Sequence, residues 1–291
     1  MSDKMHDLEE VVTEDVSRAM REDVGSGDLT ALLIPDSARG HARVIARKEG
    51  VIAGTEWFER CFDELDPDCE IFWHTGDGKH VAAGVQFCEI TGSARAMLTA
   101  ERSALNFLQT LSAVATKTRL FVDAVAGTQA RIFDTRKTLP GLRRAQKYAV
   151  QVGGGYNHRI GLFDGILIKE NHIVAAGGIR AALQAASALV QHQAPRDTMI
   201  EIEVETLEQL REALDCGATL ILLDNMSPAQ MADAVSIVAA SGWQGVELEA
   251  SGGITLQSVR AIAGTGVQRI SVGGLTKDVK ALDLSMRFSM H

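Results

Sequence analysis

Between Arg136 and Lys169 the sequence places seven basic side chains, Arg136, Lys137, Arg143, Arg144, Lys147, Arg159 and Lys169, against a single acid, Asp164. The whole chain carries a formal net charge of -9, so this excess runs against the bulk. A basic cluster inside an acidic chain points to a pocket for a small anion, because a nucleic-acid track needs a broad basic surface. Arg suits a carboxylate, since its planar fork gives two parallel hydrogen bonds, and Lys supplies a compact charge. Arg136 and Lys137 close the stretch "ARIFDTRK", and Lys169 closes "DGILIKE". His158 and Arg159 follow the run Gly153-Gly154-Gly155, which can bring backbone close to a ligand. Several cations at one place imply a ligand with several negative charges. For Arg143, Arg144 and Lys147 a solvated basic helix face fits the spacing equally well.

Glu203 in "IEIEVE" and Asp224 in "LILLDN" bring carboxylates to similar strand ends. At such positions they can bind sugar hydroxyls, hold Mg²⁺, or stabilise a developing carbocation. A structural role, pairing with Lys137 or Lys169, is the alternative. Two later strands end in "ASGGIT" and "SVGGLT", whose glycines expose backbone N–H groups just before a helix N-terminus, an arrangement suited to phosphate. His158, His172 and the cysteines lack the spacing of a structural zinc site. Neither G-x-x-x-x-G-K-[ST] nor a strand followed by G-x-G-x-x-G occurs.

The elements that must position these groups fall into two rhythms. Residues 7–22 carry Leu8, Val11, Val12, Val16 and Ala19 at helical spacing, and 41–54, 70–74 and 85–92 read as strands. Residues 94–125 form a long helical pattern, as one helix or two in succession. The first ~110 residues thus read as an α+β unit. Beyond them, apolar strands at 130–135, 164–170, 199–205, 219–225, 245–253 and 268–274 alternate with helices at 178–191, 206–217, 227–241 and 255–266. Strict alternation means βαβ units and a parallel sheet, here an α/β barrel of fewer than eight units, with a doubly wound open sheet as the competitor. Each strand begins apolar and finishes in polar groups, Asp134 to Lys137, Lys169 to Asn171, Glu201 and Glu203, Asp224 and Asn225, Glu249 and Ser251. In a barrel those ends converge on the C-terminal mouth. The domains expected are 1–113, with 276–291 returning to it, and 114–275.

The hydrophobic fraction of 46% suits a globular core. Cys61, Cys69, Cys88 and Cys216 form no C-x-x-C pair, the opening "MSDKMHDLEEVV" lacks a secretory pattern, and no run of about 18 apolar residues occurs. These features lead us to expect no membrane span, no nucleic-acid partner and a cytoplasmic protein.

Taken together, "EDVGSGDLT", "TAERSALNFLQTLSAVAT", "DTRKTLPGLRRAQKYAVQVGGGYNHRIGLFDGILIKENH", "EIEVET", "LILLDNM", "LEASGGI" and "SVGGLT" resemble the quinolinate phosphoribosyltransferase family, the carboxylating nicotinate-nucleotide pyrophosphorylases. The resemblance runs in unbroken order from about residue 9 to residue 285, and the central 39-residue block is highly specific. A second glycine in "VGGLT", where alanine is frequent, is a small departure. The resemblance implies an N-terminal sandwich domain, a barrel of fewer than eight units, and a homodimer with sites shared between subunits, with a hexamer as the alternative. It implies a reaction of quinolinate with phosphoribosyl pyrophosphate and Mg²⁺ that yields nicotinate mononucleotide, pyrophosphate and CO₂, a step of NAD biosynthesis. Such substrates, rich in carboxylate and phosphate, would account for the cations. By the same resemblance Arg136, His158, Arg159 and Lys169 contact quinolinate, Thr135 is a further substrate-binding candidate, and Arg102 reaches the pocket from a neighbouring subunit. Lys137 lies near pyrophosphate and ribose, Glu203 and Asp224 near ribose and metal, and Ser251, Gly252, Gly253, Gly273 and Gly274 form the 5′-phosphate cradle, with Val272 a further substrate-binding candidate. Lys137, Glu203 and Asp224 are the catalytic candidates. A molybdenum-transport-associated paralogue shares "TRKT" and the HR-x-GL element, whereas "LIKENH" and "LEASGG" favour the biosynthetic enzyme. A non-catalytic dicarboxylate- or phosphosugar-binding protein is the rival of a different class. Pure anion binding would not require Glu203 and Asp224.

Overall fold

The computed structural model of the protein describes residues 2–192 and 198–290. It divides into two compact units, Met1–Arg119 with Thr138–Gly154 and Thr276–His291, and Leu120–Lys137 with Gly155–Leu275. Residues 138–154, assigned from sequence to the barrel, therefore cluster with the first unit.

The first unit opens with α1 (Ser2–Asp23), followed by β1 (Arg39–Ala46), β2 (Gly50–Val51), α2 (Thr55–Asp63), β3 (Glu70–Trp73), β4 (His80–Val81) and β5 (Gln86–Ser93). The next element, α3 (Ala94–Ala124), is one helix of 31 residues. It contains neither Gly nor Pro, and Met97, Ala100, Ala104, Leu108, Leu111 and Ala115 are buried at three- and four-residue spacing, so nothing breaks it. β1 lies between β5 and the chain's last strand, Leu284–Met290, with β3 on the far side of β5, and every pairing is antiparallel. Alternation buries Ala42, Val44 and Ala46 of β1. α4 (Arg143–Val152) also belongs here. Its Lys147 is only 2% exposed, so the solvated-face reading fails for that residue.

The second unit is built on β6 (Arg131–Phe133), β7 (Gly165–Ile168), β8 (Met199–Val204), β9 (Leu220–Asp224), β10 (Glu247–Ser251) and β11 (Arg269–Ser271). All six are parallel, in the order β6-β11-β10-β9-β8-β7. Chain neighbours are sheet neighbours from β7 to β11, and the first strand then pairs with the last. That is the circular order of a barrel, whereas a doubly wound sheet reverses direction at a switch point. Between β6 and β7 the ladder lapses. Tyr156 supplies a single rung there, its N–H donating to Ile132 O at 2.8 Å and its carbonyl accepting from Asp134 N at 3.0 Å. The α/β unit is thus a partial barrel. Its helices include α5 (Glu170–Ala176), α6 (Ile179–His192), α7 (Leu207–Asp215) and α8 (Pro228–Ser241). Thr206 caps α7, and Ser227 with Gln230 forms a capping box on α8, so the helices start within a few residues of the strands' ends. No single helix among the described residues is long and apolar enough to cross a membrane.

Candidate active site

Strand register gathers the polar groups. In a parallel ladder paired residues point to the same face. The pairs Glu201↔Leu167, Glu203↔Leu222, Leu222↔Glu249, Glu249↔Arg269 and Ser251↔Asp224 put one alternate set of side chains on a common face. At the strands' C-terminal ends this face surrounds a cavity of about 330 Å³. Thr135, Arg136, Lys137, His158, Arg159 and Lys169 line it, together with Glu203, Glu249, Ser251 and Ser271, while Leu167 and Leu222 are its apolar members. The volume suits a small molecule. A second cavity of about 330 Å³ lies within the first unit, but there Asp15 is already engaged by Arg18 and by Trp57 Nε1.

The cations are set in place by local structure. Asp134 is fully buried and accepts the His158 backbone N–H at 2.9 Å, which ties the loop carrying His158 and Arg159 to the end of β6. Asp164, the lone acid of the basic stretch, accepts N–H bonds from Ile160 (2.8 Å) and Gly161 (2.9 Å) and folds the loop back after Arg159. The Arg159 guanidinium donates to Gly165 O at 3.0 Å. Burial and the nearby charge of Arg136 both push its pKa down, so two guanidinium groups face a shared space that an anion would relieve. Lys169 Nζ lies 2.6 Å from Glu203 Oε2. Burial raises the Glu203 pKa, Lys169 opposes the rise, and Asp224 adds to it. The structural pairing considered for Glu203 is therefore present, and its carboxylate still lines the cavity.

Beneath these groups lies a buried polar floor. His158 Nε2 is 2.6 Å from Glu201 Oε2 and 3.7 Å from Glu249 Oε1, and Arg269 Nε donates to Glu249 Oε2 at 2.7 Å. Glu201 and Glu249 are both fully buried, and each keeps one oxygen without a hydrogen-bond partner. Burial pushes the Glu249 pKa up, and the neighbouring Glu201 charge adds to the shift. Burial alone would lower the His158 pKa, but the Glu201 hydrogen bond and the Glu249 charge outweigh it. His158, Glu201 and Glu249 lie close enough to suggest a metal centre. Against this, His158 Nδ1 accepts the Arg159 N–H at 2.8 Å, which leaves the proton on Nε2, the atom a metal would need.

Of the residues singled out from sequence, Thr135, Arg136, Lys137, His158, Arg159, Lys169, Glu203 and Ser251 line one cavity. Asp224 stands at the adjoining strand end, in register with Ser251. Gly252 and Gly253 follow with φ of +102° and +58°, a left-handed turn that favours glycine. Gly273 lies so near Lys137 that a Cβ would sit 3.0 Å from its Cδ. Gly274 begins a four-residue helical turn, Gly274–Lys277. Val272 points elsewhere: its side chain is buried and its N–H donates to Phe133 O at 2.9 Å. Arg102 lies on α3 in the first unit, exposed, with Glu101 3.9 Å away. In the sequence Glu201 and Glu249 read only as strand-end acids, and no local motif marks Arg269. Their signal was present, since each sits on the same alternate face as the cavity residues.

The profile described as "Quinolinate phosphoribosyl transferase, C-terminal domain" matches residues 114–287, and that described as "Quinolinate phosphoribosyl transferase, N-terminal domain" matches residues 28–112. The chain belongs to the quinolinate phosphoribosyltransferase family. It is 45% identical over 265 residues to a "Probable nicotinate-nucleotide pyrophosphorylase [carboxylating]" of Bacillus subtilis (strain 168), covering 91% of this chain and 89% of the relative. It is 40% identical over 299 residues to "Quinolinate phosphoribosyltransferase [decarboxylating] 2b, mitochondrial" of Nicotiana tabacum, covering 97% and 82%. Among solved structures, the nicotinate-nucleotide pyrophosphorylase of Francisella tularensis superposes with a TM-score of 0.90 at 42% identity, covering 97% of both chains. Both units of the fold are therefore family features.

Proposed function

We propose that this cavity joins quinolinate to phosphoribosyl pyrophosphate, giving nicotinate mononucleotide, pyrophosphate and CO₂. The observation that carries the reading is the convergence of Arg136, Lys137, Arg159 and Lys169 on one cavity that Glu203 also lines. A dianionic pyridine and a polyphosphate need the first set. A ribose centre that becomes positive needs fixed carboxylates, Glu203 with Asp224 beside it.

In this reading Arg136, Arg159 and Lys169 hold the two carboxylates of quinolinate, with Thr135 and His158 beside them. The bond from the ribose carbon to pyrophosphate breaks with its electron pair leaving on pyrophosphate, and Lys137 meets that charge. The pyridine nitrogen lone pair then forms the new bond. The resulting ring cation accepts the electron pair of the bond to the adjacent carboxylate, CO₂ departs, and the ring carbon takes up a proton. Ser251, Gly252, Gly253, Gly273 and Gly274 cradle the 5′-phosphate. Val272 offers no donor to a phosphate in this reading, since its N–H donates to Phe133 O, its carbonyl accepts the Leu275 N–H at 3.2 Å and its side chain is buried. Glu203 and Asp224 offer hard oxygen donors suited to Mg²⁺ carried by the pyrophosphate. When bound, Mg²⁺ would neutralise phosphate charge. Positioning and charge placement then do most of the work.

We place the enzyme in the cytoplasm as a homodimer, or a hexamer, whose Arg102 completes a neighbour's site. Its four free thiols, with burial pushing Cys61 up to about 12, suit a reducing compartment. The test is to mix both substrates with Mg²⁺ and measure pyrophosphate, CO₂ and nicotinate mononucleotide. Equimolar release of all three is expected. Tight binding of either substrate without turnover would establish the binding-protein reading instead.

A further inference from the structure

Asn225 has the one positive φ, 54°, of a non-glycine residue among the described residues. Most L-residues avoid this region and asparagine tolerates it best of them, so the contacts its side chain makes, not the φ, decide its role. Asn225 sits between the end of β9 at Asp224 and Ser227, the cap of α8, so it forms the turn that links them. Three contacts follow from its backbone setting. Its N–H donates to Ser251 O at 3.0 Å, continuing the ladder one residue past the last strand pair. Its side-chain Nδ2 donates to Asp224 Oδ2 at 2.8 Å. It also lies against Gly252, where a Cβ would come within 2.1 Å of Asn225 Oδ1 and 3.0 Å of its Cα. One residue therefore holds the Asp224 carboxylate with its amide and backs the glycine turn after Ser251.

We propose that Asn225 is a positioning residue for the phosphoribosyl half of the site, fixing the Asp224 carboxylate against the Gly252-Gly253 turn. This rests on the assignment of those groups to ribose and phosphate given above. The left-handed turn alone would be served better by glycine, which adopts it without strain. What glycine cannot supply is the amide that orients Asp224 and the surface that closes over Gly252.

Asn225→Gly separates the two roles, because it keeps the turn and removes the side chain. We expect it to fold with an unchanged circular dichroism spectrum and to bind quinolinate within twofold of the parent. Its equilibrium affinity for ribose 5-phosphate should fall about tenfold or more, the scale of one hydrogen bond to a charged group, and KM for phosphoribosyl pyrophosphate should rise with it. Asn225→Asp, which sets a second carboxylate against Asp224, should be worse than Asn225→Gly for ribose 5-phosphate. If Asn225→Gly binds ribose 5-phosphate like the parent, Asn225 is only a turn residue and the inference is wrong. Equal loss for quinolinate and ribose 5-phosphate would overturn it too, by showing a general loosening of the site. A parent enzyme that binds neither phosphoribosyl pyrophosphate nor ribose 5-phosphate would instead overturn the functional assignment itself.

Discussion

The Lys169–Glu203 pair offers the sharpest test of how this cavity is balanced. Its atoms are 2.6 Å apart, with the lysine side chain 44% exposed and the glutamate side chain only 9% exposed. Exposed pairs contribute about 0–1 kcal/mol, whereas removing one partner of a buried pair costs about 3–5 kcal/mol. This pair lies between those limits, so Lys169→Ala should destabilise the protein by about 1.5–3 kcal/mol, chiefly by leaving Glu203 charged and buried without its partner. Glu203→Gln alone should cost less, because the released lysine reaches water. In the double variant the orphaned charge is gone, so its loss should fall well short of the sum of the two single losses. Urea denaturation of all four proteins measures this directly. Additivity within about 0.5 kcal/mol would refute the coupling. The pH dependence gives a second reading. Glu203 has a pKa raised above the usual 4.5, so the folded state binds more protons than the unfolded state in that window. Its contribution to stability therefore falls as pH rises from about 4.5 through the folded pKa. Lys169→Ala should extend that window upward, and Glu203→Gln should abolish it. A pH–stability curve identical in all four proteins would be incompatible with this account.

Three further outcomes are expected. Arg136→Ala or Arg159→Ala should raise the quinolinate KM by the equivalent of about 1.5–3 kcal/mol while changing that of phosphoribosyl pyrophosphate less; equal effects on both substrates would reassign these arginines. Asp224→Asn should bind quinolinate normally and lose turnover by orders of magnitude, and activity within about threefold of the parent, only ~0.65 kcal/mol, would remove it from the chemistry. Arg102→Ala and Lys137→Ala should each be nearly inactive, yet a random, re-equilibrated mixture should recover about a quarter of parental activity, since half of the dimers are mixed and each has one intact site. Confirmed exchange with no recovery would show that Arg102 does not serve a neighbour's site.

The βαβ rhythm, the strand positions and the cations at strand ends were legible in the sequence because they depend on local periodicity and neighbouring residue types. Arg136, Lys137 and Lys169 could be placed at strand ends, Glu203 and Asp224 read as carboxylates beside them, and the glycine pairs read as turns. Alternation within each strand also fixes which side chains share a face. Burial and partnership come from elsewhere in the chain. Glu203 meets Lys169 across 34 residues, His158 meets Glu201 across 43, and Glu249 meets Arg269 across 20. For Lys147 the sequence left a solvated helix face and a pocket role equally open, and its burial excludes the solvated reading. Local sequence chose the residues and their faces. Strand register and the circular order of the strands decided which charges lost their water, and that loss sets the pKa shifts.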